Sequence, residues 1–157
     1  MKPTFLKLND GWNAEPNAPT PEILLDGRDV LLSFQLNHIQ FPEFKEGDLG
    51  VLRFENCQRY RVGTMNDEGW YEGQCRYSKL APAWGEFYLI TGASKFLEIP
   101  RDWLAVGAVN GPMRHFLFYF RDNDFECIAE RCTIESSDKN SLVRTGKKLP
   151  AMPASKS

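Results

Sequence analysis

The sequence predicts an all-β protein: antiparallel hairpins forming a β-sandwich or partly open barrel, with at most one short helical turn. Three observations carry this. Apolar residues alternate with polar ones in short runs, turn-forming residues separate the runs, and almost no 3.6-residue periodicity appears.

In Val30–Asn37 the residues Val30, Leu32, Phe34 and Leu36 share one side, with Ser33, Gln35 and Asn37 on the other, and Pro42 ends the extension. EGDLG at 46–50 is turn chemistry, after which Leu52 and Phe54 alternate with Val51, Arg53 and Glu55. A third strand, 59–63, sets Tyr60 and Val62 opposite Arg59 and Arg61. Asn66–Gly69 is a tight-turn sequence, and strand 71–77 follows with strict alternation; its Glu72, Gln74 and Arg76 line up with Arg59 and Arg61 as an ion-paired, solvated face. The run Glu86–Thr91, apolar almost throughout, reads as a central strand closed by Gly92.

The strongest hairpin signal lies at 115–130. A two-residue turn at Asp122-Asn123 sets Phe120 opposite Phe125, Phe118 opposite Cys127 and Phe116 opposite Ala129, all facing the core. The other face then pairs Tyr119 with Glu126, Leu117 with Ile128 and His115 with Glu130 as a mixed outer surface. Residues 94–106 carry Pro100 and predict irregular chain or one helical turn.

A chain of 157 residues fits one domain with a self-sufficient core. Residues 1–135 read as that domain, with 13–21 (NAEPNAPTP) as an extended, proline-rich surface lead-in. Residues 136–157 read as a flexible, disordered basic tail. They hold five basic groups and one acidic, leaving 14 basic and 20 acidic in the body, a net −6 beside +4. The acidic body points away from nucleic acid, and no run of apolar residues is long enough for a transmembrane helix. With no secretion signal at the start, the expected compartment is the cytoplasm. Cys57, Cys75, Cys127 and Cys132 have no zinc spacing and read as reduced thiols, Cys75 and Cys127 inward, Cys57 and Cys132 near strand ends and open to exposure. No metal or cofactor is expected.

Catalytic signatures such as GxSxG, HExxH or a phosphate loop are missing. The reading is therefore a non-catalytic binding domain for a protein or small ligand. Its candidate surface comprises the loop aromatics Trp70 and Trp84, the acidic turn Asp67 and Glu68, and Glu86, since indoles beside carboxylates suit stacking or a protein contact. The same indoles also suit lids over the core. A second reading is a small enzyme with His115 as general base, Glu130 orienting it, and Tyr119 and Glu126 alongside. A third is self-association, as a homodimer, through an exposed edge strand.

Overall fold

The computed structural model describes residues 4–63, 85–92, 103–108 and 111–135. Within them the chain is all-β, and the eight strands form one open antiparallel sheet. They are β1 (Thr4–Lys7), β2 (Glu22–Asp26), β3 (Asp29–Gln35), β4 (Leu49–Gly63), β5 (Phe87–Thr91), β6 (Leu104–Ala105), β7 (Arg114–Tyr119) and β8 (Asp124–Glu135). Their order is β1-β5-β7-β8-β4-β3-β2, with β6 beside the second half of β4.

The expected strands at 51–55 and 59–63 are one strand, β4, with a bulge in the middle. Its pairing with β8 slips between Cys57 and Arg59, and Asn56 takes φ 50°, a left-handed conformation that asparagine tolerates better than most residues. The Asp29 carboxylate accepts from the Asn56 backbone N–H at 3.0 Å and fixes the bend. Ahead of it β4 lies between β3 and the end of β8; beyond it, between β6 and the start of β8. One long strand thus joins two halves of a sheet that folds over its own concave face.

That face holds the core. Val30, Leu32, Phe34 and Leu36 are buried as their alternation requires, and so are Phe116, Phe118 and Phe120 against Phe125, Cys127 and Ala129. Rings from the two halves meet: Phe34 packs edge-on to Phe118 at 5.0 Å, and Phe54 lies 5.3 Å from Phe116. Trp12 lies across the end, stacked on Phe34 at 5.8 Å and only 1% exposed. The proline-rich segment does more than lead in. Ala14 bridges Leu36, Glu15 N–H donates to Gln35, Gln35 N–H donates to Pro19, and Asn13, Ala14, Glu15 and Pro19 are buried.

The β7–β8 register differs from the expectation by two residues. Phe118 faces Phe125 and Phe116 faces Cys127, while Phe120 leaves the ladder and its N–H donates to the Asn123 carbonyl at 2.8 Å. A two-residue type I′ turn needs positive φ at both central positions, which neither Asp122 nor Asn123 adopts, so the connection widens to four residues. Because the shift is even, every side chain keeps its face. Outward burial is the larger departure: Leu117, Tyr119, Glu126 and Ile128 are buried as thoroughly as the core face. The face expected to be mixed and solvated is covered. The turn 66–69, strand 71–77, residues 94–102 and the segment 136–157 lie outside the described residues.

Candidate functional sites

Of the binding residues expected from sequence, Trp70, Trp84, Asp67 and Glu68 lie outside the described residues. Glu86 is placed, just ahead of β5. Its carboxylate accepts from Asn9 Nδ2 and lies 3.7 Å from Lys7 Nζ. Asn9 also donates to the Trp12 carbonyl at 2.8 Å and accepts from the Phe87 N–H at 3.1 Å. Glu86 therefore braces the Leu8–Trp12 crossing that seats the indole over the core.

The outer face of β4, β8 and β7 carries a buried charge cluster. His115 stands across from Ile128, not Glu130, and its ring reaches diagonally to Glu126, with Nε2 2.8 Å from Oε1. The His115–Glu130 pair is thus replaced by His115–Glu126, a direct consequence of the two-residue register shift. Arg61 donates to the other Glu126 oxygen at 2.8 Å and to Asp124 Oδ2 at 3.3 Å. A carboxylate that receives a guanidinium acts as an acceptor only, so the imidazole donates its Nε2–H to it. Glu126 is fully buried and His115 only 6% exposed. Burial pushes the Asp124 carboxyl above its ordinary range, against the pull of Arg61, and the Glu126 charge pushes the same way. Beside the cluster, Arg59 lies over the Trp103 ring at 4.9 Å, and that ring lies 6.2 Å from His115.

Glu130 contributes its backbone carbonyl to Arg114 rather than a carboxylate to His115. Tyr119 faces Asp124 across the ladder and is buried. Chemically the cluster sets one guanidinium and one donating imidazole against two buried carboxylates. The Glu126 contact fixes the orientation of the imidazole ring.

Cys57 and Cys132, whose place near strand ends left them open to exposure, are buried. Both fall on the inner face of the bent β4–β8 pair, which sequence position relative to a strand end does not reveal. Burial holds the Cys127 and Cys132 thiols well above the ordinary cysteine range, Cys127 further through its contact with Cys57. High thiol pKa and lack of access make them unreactive. Among the described residues no cluster of His, Cys, Asp and Glu has the arrangement of a metal site.

The other half of the outer face is open. Leu24, Leu31, Leu49 and Val51 floor a groove of about 620 Å³ across β2, β3 and the start of β4, rimmed by Glu22, Asp26 and Arg53. Leu24 is 65% exposed and Leu25 53%. Among the described residues β2 ends the strand order, and four of its five residues are exposed. Sequence reasoning passed over this strand although its signal was present. Asp26-Gly27 between apolar runs is a hairpin sequence, and here Asp26 faces Asp29 across Gly27-Arg28, with positive φ at Gly27. Arg53 donates to Asp26 at 3.1 Å and Asp29 at 2.8 Å, closing the turn.

Compared with protein-family models, curated proteins and solved structures, the chain matches none.

Proposed function

We propose that the protein is a non-catalytic, cytoplasmic binding domain that accepts an extended polypeptide segment along the β2 edge, with side chains seated in the adjoining groove. The observation that carries this is the edge itself: a five-residue strand whose Leu24 and Leu25 stand exposed beside an apolar floor. An added strand satisfies its backbone on an open edge and draws specificity from pockets that take alternate side chains. The acidic rim favours basic residues in that strand. Buried free thiols at Cys57, Cys127 and Cys132 support a reducing compartment. Trp70 and Trp84 remain the further contact points that the sequence offers.

The test is an NMR titration of the full chain with a synthetic hexapeptide of alternating valine and lysine. Saturable shifts concentrated at residues 22–26 and 31–33, lost in Leu24→Asp, are the expected result. Shifts scattered over the surface, or unaffected by Leu24→Asp, overturn the proposal.

A further inference from the structure

We propose that the cavity between the β2–β3 hairpin and the β7–β8 connection binds a small, free, uncharged molecule through a short alkyl or aryl end. The site is separate from the groove. Ile23 and Leu32, paired across β2 and β3, face inward to it, whereas Leu24 and Leu31 face outward to the groove floor.

The cavity lies where ring packing stops. Phe34, Phe118 and Phe120 fill one stretch of the interior, with Phe118 and Phe120 stacked at 4.3 Å and Phe34 5.7 Å from Phe120. Phe54 and Phe125 fill the next, at 5.2 Å. Where Phe120 and Phe125 meet the aliphatic Ile23 and Leu32, a space of about 60 Å³ remains, with Val62 also on its wall. Leu32, Phe120 and Phe125 are no more than 2% exposed, whereas Val62 is 42% exposed. The cavity therefore runs from a dry inner wall to a mouth at the end of β4.

Size and chemistry name the occupant. At roughly 10–15 Å³ for each water-sized group, the space holds about four to six carbons. Hydrocarbon walls give water few of the polar partners it needs, so an apolar group gains by entering. Asp124 is the ionisable residue of the lining, and its carboxylate is committed to Arg61 at 3.3 Å. Nothing in the wall is placed to balance a ligand charge, which selects an uncharged molecule. Asn123, also on the lining, brings a neutral amide that suits a hydroxyl or carbonyl at the molecule's other end.

The probe is the series of n-alkanols from propanol to octanol, titrated into the full chain and read by NMR at the Ile23, Leu32 and Val62 methyl groups. The dissociation constant should fall about fourfold for each methylene buried, up to pentanol or hexanol, and then level off. Val62→Phe and Ile23→Phe fill the space from opposite walls, and each should weaken pentanol at least about tenfold while amide spectra show the fold kept. If one of them fails to fold, the other carries the test. Leu24→Asp, on the opposite face of the hairpin, should leave pentanol binding unchanged; loss of binding there assigns the alkanol to the groove and overturns the proposal. So does the absence of saturable shifts at the three methyl positions, affinity that climbs unbroken to octanol, or pentanol held equally well by a folded phenylalanine variant. Pentanol and the alternating valine–lysine hexapeptide should bind together. Displacement of one by the other gives the cavity to a side chain of the added strand and overturns the proposal, leaving the groove reading standing.

Discussion

Glu126→Gln removes one charge from the centre of the buried cluster while keeping its shape. Glu126 is fully buried and receives Arg61 on one oxygen and His115 on the other, each at 2.8 Å. Glutamine keeps one acceptor and turns a donor toward the second partner, so one of the two donors then faces N–H. Breaking a buried pair by removing one partner costs about 3–5 kcal/mol. The retained acceptor, and the Asp124 carboxylate 3.3 Å from Arg61, offset part of that. The expected loss is about 3 kcal/mol, seen as a fall of about 6–12 °C in melting temperature for a chain of this size. Urea unfolding at pH 7 measures it for Glu126→Gln, Arg61→Met and the double variant. If the cluster is one interacting unit, the double variant costs less than the two singles together, by at least about 1 kcal/mol. Arg61→Met carries a second signature. Without the guanidinium, the Asp124 carboxyl, already raised by burial, rises further, and a raised carboxyl gives stability below its ordinary range that is lost as pH rises. Arg61→Met should therefore be more damaging at pH 7 than at pH 4.5. A Glu126→Gln effect within about 0.5 kcal/mol of zero, with additive singles, would refute the account of a tightly coupled buried network.

Asp124→Asn tests the same raised carboxyl alone. Relative to the unaltered protein it should gain stability as pH climbs from about 4, the ordinary carboxylate value, toward neutrality, and parallel stability–pH curves would count against it. Trp12→Ala empties the space over Phe34, Phe87 and Phe118 and should cost about 3–5 kcal/mol in urea unfolding; a loss below 1 kcal/mol would mean that Trp12 is not packed as described. Peptide-resolved alkylation should show Cys57, Cys127 and Cys132 reacting at least about a hundredfold more slowly in the folded protein than in urea, because reaction must wait for opening; rapid labelling of any of them would contradict its burial.

What sequence revealed follows from what alternation can and cannot encode. Phe116, Phe118 and Phe120 could be assigned to the core because the two-residue period survives an even slip in register. The same slip moved His115 from Glu130 to Glu126, so a site defined by one cross-strand neighbour was illegible even though every face was right. Arg61 was assigned to a ribbon with 71–77; its contacts with Asp124 and Glu126 depend on β4 continuing through a bulge to pair with β8, which no local pattern announces. Trp12 sits in a non-alternating stretch, NDGWN, and the segment that seats it is braced by Asn9 bonding to Glu86, a residue 77 positions further on. β2 was readable from Asp26-Gly27 and was passed over because EILLD lacks alternation.

The two halves of the outer face obey different rules although β4 and β8 run through both. Around Tyr88, Leu117, Tyr119 and Glu126 that face is buried, and its charged groups are paired at short range. Around Leu24, Leu31 and Leu49 it is open, and its charges stand at the rim with the apolar floor between them. An open strand edge invites any extended chain, and the usual guards are lysine, proline or brevity. β2 is short and follows Pro21, but its ends carry Glu22 and Asp26. Acids at both ends oppose another copy of the same strand and attract a basic one. On the proposed reading the edge is selective rather than blocked, as a binding surface has to be if it is to reject its own copies and still accept a partner.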